Sequence, residues 1–158
     1  MMKKIMMLIA LSLVSLYGGF WPDFSFSYTH GKGHIDKNFV RDEKRGIVLD
    51  KKHHKFYYDA NASKKMTYDE AVQYCQNMHY LGYTKWRLPT KEEMRSLLEL
   101  SRRKIRVKHA FKNVQKGIYW ASTKDRLGNA WYFDFDLGRY YVADTDKKFY
   151  ALCVGSEK

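Results

Sequence analysis

Two cysteines constrain this chain more than any other feature of its sequence. Cys75 and Cys153 are its only thiols and stand 78 residues apart in a chain of 158. In an exported protein such a pair leaves one possible disulfide. Closing so long a loop stabilises a fold by roughly 4 kcal/mol in the chain-entropy treatment, less if the bridge is strained. The alternative is a pair of catalytic thiols. Against it, neither cysteine has a neighbouring histidine or a Cys-x-x-Cys partner.

The choice depends on the compartment. Lys3 and Lys4 precede an almost unbroken apolar run over residues 5–16, and the small residues Gly18 and Gly19 follow it. That layout predicts a secretory signal peptide over residues 1–18, because the run is short for a membrane span. An uncleaved N-terminal anchor is the alternative. No cysteine follows the run, which argues against a lipid-anchored lipoprotein. The expected location is periplasmic, secreted or on the cell surface, with no integral membrane segment after processing. The formal charge is +12 with a pI near 9.6, and removing Lys3 and Lys4 still leaves a charge near +10. Such a balance favours anionic partners, whether nucleic acid, acidic lipid or acidic polysaccharide. An exported chain seldom meets nucleic acid in a regulated way, so that partner is not expected. The length suits one ordinary domain, and 45% hydrophobic with 16% aromatic residues supplies a core.

Residues 20–45 lack a period of useful length and read as loosely organised, with residues 19–38 as an arm or linker and the domain spanning 39–158. Gly46–Leu49 and Lys55–Tyr58 then read as a hairpin around the polar turn 50–54. Thr67-x-x-Glu70 is a capping box, and Ala71, Tyr74, Cys75 and Met78 recur at helical spacing behind it. Cys75 is therefore expected to point into the core, and Gly82 to stop the helical region. Trp86-Arg87-Leu88 reads as a short extended segment, with Pro89 fixing its exit. Thr90-x-x-Glu93 is a second capping box, followed by Met94, Leu97, Leu98 and Ser101 on one face. Lys91 and the glutamates after it are ordinary first-turn residues. The last third reads as an antiparallel meander of Tyr119–Thr123, Ala130–Phe135, Arg139–Ala143 and Phe149–Val154. Phe149, Ala151 and Cys153 share one face of its last segment, which would bring Cys153 towards Cys75 beneath the first helix. The fold class is α+β, two helices packed on a twisted antiparallel sheet.

The stretches "MTYDEAVQYC", "WRLPT", "YWAST", "AWYFDF" and the terminal "ALCV", in that order, resemble the Lcl C-terminal domain family of bacterial proteins, a domain of unknown function. The likeness covers about residues 39–155, and "RDEKRGIVLDKKHHKFYYD" resembles the opening segment of that family, with Phe56-Tyr57-Tyr58 where a tryptophan is usual. The resemblance implies a C-type-lectin-like fold tied by a disulfide from the first helix to the last strand. It also implies an exported or surface protein with a binding role. The family is distantly similar to the formylglycine-generating sulfatase-modifying enzymes, which share an Arg-Leu-Pro-Thr corner and act through a reactive cysteine pair. Here the cysteines match the structural positions, so that activity is not carried over.

Three functions follow as expectations. The first is a non-enzymatic binding domain for an anionic glycan or another cell-envelope component. The second is a structural or protein-interaction module, and the third a sulfatase-modifying-like enzyme. The densest positive segment is Arg102-Arg103-Lys104-Ile105-Arg106-Val107-Lys108, which could form a strand with one basic face. With Tyr132, Arg139 and Tyr140 its basic residues make the candidate ligand surface, where aromatic faces stack on sugar rings and cations hold sulfate or carboxylate. Tyr141, Tyr150, Lys147 and Lys148 flank it. Trp86, Arg87, Leu88, Pro89, Thr90 and Glu93 are assigned to structure. Arg87 is expected to find an internal carboxylate among Glu70, Glu93 and Asp134 rather than to clamp an anion. No cofactor is expected. The Glu-Pro-Asn and Gln-Pro-Asp tripeptides of calcium-dependent lectins are missing, and Asp134-x-Asp136 and Asp144-x-Asp146 read as turns. His30, His34, His53 and His54 lack the convergence that zinc requires.

Overall fold

Short alternating runs of apolar residues decide the architecture. The computed structural model describes residues 36–83 and 85–156; the segment read as a signal peptide and most of the expected arm lie outside them. Nine elements follow one another: β1 (Phe39–Asp42), β2 (Ile47–Asp50), β3 (Lys55–Tyr58), α1 (Tyr68–Gln76), α2 (Lys91–Ser96), β4 (Ile118–Lys124), β5 (Ala130–Asp134), β6 (Arg139–Ala143) and β7 (Val154–Ser156). The α+β class holds, but the single sheet becomes two. One has the order β1-β2-β3-β7 and the other β4-β5-β6, and every pairing within them is antiparallel.

The centre of the first sheet buries both faces, whereas the second sheet leaves its edge strand β6 largely exposed. Val48, Tyr57 and Val154 stand opposite one another across β2, β3 and β7. They enter one core with Met94, Leu97, Phe133 and Phe135. Their neighbours Leu49 and Phe56 enter a second core with Ala71, Cys75, Trp86, Leu88, Trp120 and Cys153. Opposite Phe56 stands Gly155, where any side chain would collide with the Phe56 ring. A strand with both faces buried needs no polar side, which is why "IVL" runs unbroken in β2. In the second sheet Tyr119 and Phe133 face the first core while Trp120 and Ala130 face the second.

Both helices start where their capping boxes place them. Thr67 accepts the Glu70 N–H and Thr90 the Glu93 N–H, and each glutamate accepts the cap residue's own N–H in return. Cys75 and Cys153 form the disulfide, with a Cα–Cα distance of 5.4 Å, inside the second core.

Several expectations need correction. β1 forms inside the segment read as loosely organised, because β2 offers it a full antiparallel partner. Tyr74 is exposed, since α1 buries only the narrow stripe of Tyr68, Ala71 and Cys75. α1 ends at Gln76 with Asn77 as its cap, well before Gly82. α2 ends at Ser96, so Ser101 lies beyond it and is exposed. Residues 86–88 form no strand but one bridge, Arg87 to Val154. The closing segment does not extend the meander. Phe149 bridges Met66, Tyr150 bridges Tyr119, and β7 crosses to β3 in the other sheet. The run 102–108 is not a strand either; it is a loop with a single bridge, Leu98 to Val107.

Candidate functional site

The Trp86–Glu93 corner is built for internal use. The Trp86 ring is buried among Phe56, Tyr58, Tyr80 and Tyr83, and its N–H donates to the Tyr83 carbonyl at 3.1 Å. Ser122 donates its N–H to the Pro89 carbonyl at 2.7 Å, and the Lys91 N–H reaches Thr123 Oγ1 at 2.9 Å. These bonds pin the start of α2 to β4. Of the three carboxylates considered for Arg87, the partner is Glu93, gripped by both guanidinium ends at 2.7 Å. Lys55 approaches the same carboxylate at 3.3 Å. Burial works to raise the Glu93 carboxyl, but the Arg87 hydrogen bonds, the Thr90 N–H and the Arg87 and Lys55 charges more than reverse it, holding the group below the usual glutamate range. Arg87 thus has little capacity left for an external anion.

The basic loop divides. Arg102 donates to the Val107 carbonyl at 2.9 Å. Arg106 donates to the carbonyls of Asp136, Leu100 and Arg102 at 3.0, 3.1 and 3.3 Å. Lys108 pairs with Asp36 at 2.9 Å and Glu99 at 3.5 Å. These three hold the loop in shape and fasten it to the β5–β6 turn. Arg103 and Lys104 are exposed, with no ion-pair partner among the described residues.

That turn joins the loop to the aromatics. Gly138 has φ +66, and a Cβ there would fall 2.6 Å from Arg106 Cδ and 2.7 Å from Leu100 Cδ2. Beyond it, Tyr140 pairs across the sheet with Phe133 and stacks on it at 5.1 Å. Trp131 lies on the same face, with its ring 5.9 Å from that of Tyr140. Lys91 Nζ sits 3.3 Å from the centre of the Trp131 ring and 5.4 Å from that of Tyr140, a cation–π contact. Lys91, Trp131, Tyr140 and the loop at Arg106 therefore border one side of the second sheet. Tyr132 does not join them. It pairs with Tyr141 on the opposite face and packs against Phe149. Arg139 shares that opposite face but is exposed at the strand's start, next to the turn.

Sequence reading left Lys91, read as a first-turn residue, and Trp131, read as one side of an alternating strand with Phe133 and Phe135, out of the candidate ligand surface. The signal was the alternation of β5, which puts Trp131 beside Phe133. It also missed Asp59, whose buried carboxylate pairs with Arg41 and accepts the Lys112 and Asn113 N–H groups.

The acidic turns behave as turns. Asp134 Oδ1 accepts the N–H groups of Asp136 and Leu137, and no group of three His, Cys, Asp or Glu among the described residues is placed to hold a metal ion. His53 Nδ1 lies 2.7 Å from Asp50 Oδ2 within the hairpin turn; His30 and His34 lie outside the described residues. No described helix is long and apolar enough to cross a membrane. The sequence model of the Lcl C-terminal domain family matches residues 38–155. No curated protein matches the chain.

Proposed function

Because the chain belongs to the Lcl C-terminal domain family, we propose that it is an exported, non-enzymatic binding domain that recognises an anionic glycan or another cell-envelope component. The carrying observation is the border of the second sheet, where Lys91 covers Trp131 and Tyr140 and the basic loop abuts the β5–β6 turn. Half-buried aromatic rings offer stacking faces, and exposed cations supply partners for carboxylate or sulfate. Two capped helices, antiparallel sheets and a bridge from α1 to the terminal segment support a C-type-lectin-like arrangement. A disulfide that engages both cysteines inside a core supports binding over thiol chemistry, and it suits a periplasmic or surface location.

A glycan array at two salt concentrations, with and without a chelator, tests this reading. Sulfated and uronic-acid glycans should be retained above neutral ones at low salt and lost steeply at high salt, with the chelator indifferent. Equal retention of neutral and acidic glycans would overturn it.

A further inference from the structure

Exposed leucines are ordinary when scattered, but two of the most exposed here are neighbours. Leu100 is 62% exposed and Leu137 58%. Both lie at the β5–β6 turn, because the Leu100 side chain packs against Gly138, the residue directly after Leu137. The same loop carries Arg103 and Lys104, and Arg139 follows the turn at the start of β6; all three are exposed. Of the nearby acids, Glu99 is paired with Lys108, Asp134 caps the turn, and Asp136 has Oδ2 at 3.8 Å from Lys116 while its Oδ1 is buried away from the surface. Arg106 fastens the loop to the turn through its carbonyl bonds, so leucines and cations are presented together on an ordered tip.

We propose that this tip, which carries Leu100 and Leu137 together with the exposed cations Arg103, Lys104 and Arg139, docks on anionic phospholipid headgroups at a membrane surface. Charge complementarity selects that partner. The cations attract an acidic bilayer within a Debye length, and the leucines then enter the boundary between headgroups and acyl chains. A soluble acidic polysaccharide would use the cations and leave the leucines in water. The surface shares Arg103 and Lys104 with the glycan reading, and the leucines separate the two.

The test places an environment-sensitive fluorophore on the full chain through Leu137→Cys, and in a second sample through Gln73→Cys on the exposed side of α1. Phosphatidylglycerol-containing vesicles should blue-shift the probe at 137 and leave that at 73 unchanged, with phosphatidylcholine vesicles giving a response about tenfold weaker at equal lipid. Arg103→Gln/Lys104→Gln should abolish the shift. Leu100→Ser/Leu137→Ser, read by pelleting with the same vesicles, should weaken binding about tenfold while retention on immobilised heparin is unchanged. Equal shifts at 73 and 137, no shift at 137, or equal response to both lipids would overturn the proposal. Absence of heparin retention in the unsubstituted protein, with its vesicle response intact, would instead overturn the glycan reading.

Discussion

The Trp86–Glu93 corner and the Arg102–Lys108 loop are the two most conspicuous charged stretches, and they use charge in opposite ways. In the corner, one arginine meets one carboxylate through paired bonds, and that carboxylate also closes a helix cap. In the loop, cations outnumber acids, and chain carbonyls satisfy Arg102 and Arg106. Arg103 and Lys104 are left to solvent. A dense basic run is thus not a uniform patch: part of it is fastening, and only the remainder can meet a partner.

Substitutions sharpen that contrast. The largest effect is expected on the corner's side, where Arg87 exchanges backbone bonds with Val154, next to Cys153. Cys75→Ala/Cys153→Ala should lower unfolding stability by roughly 4 kcal/mol in denaturant titration. Glu93→Gln comes next. It leaves Arg87 without its carboxylate, and because the arginine side chain is 41% exposed the cost is discounted to about 2 kcal/mol. Its pH signature is specific. The folded Glu93 group titrates below its unfolded value, so its contribution is complete above the ordinary glutamate range and fades as pH falls through that range and below. Glu93→Gln should therefore flatten the acid limb of the stability profile, and an unchanged limb would remove Glu93 from the account. Arg106→Gln should cost about 1–2 kcal/mol by loosening the loop from the β5–β6 turn. Arg103→Gln/Lys104→Gln should change stability by less than about 0.5 kcal/mol. A large loss there would erase the distinction drawn between the two kinds of cation.

The sequence revealed what is written locally. Each Thr-x-x-Glu marked a helix start, and the runs in 46–58 marked a hairpin, because caps and alternation involve residues a few positions apart. The division into two sheets was not legible, since β7 leaves the meander to pair with β3 far away in the chain and nothing in "VGS" names that partner. The end of α2 was hidden as well. Leu97 caps the helix and its carbonyl accepts the Lys108 N–H, a bond to the basic loop. Within the candidate site, Tyr140 and the loop were legible as residue types. That Tyr132 lies on the other face followed only from the register. The restraint of Arg102 and Arg106 was invisible because their acceptors are backbone oxygens, which every residue carries.

The most direct test is a calorimetric titration of immobilisation-free heparin fragments into wild-type protein and the variant Arg103→Gln/Lys104→Gln, beside Glu93→Gln. The double variant should bind about tenfold more weakly at unchanged stability, whereas Glu93→Gln, though destabilised, should bind as the wild type does at neutral pH. Undiminished heparin affinity in the double variant, or its loss in Glu93→Gln while that protein remains folded, would contradict that expectation.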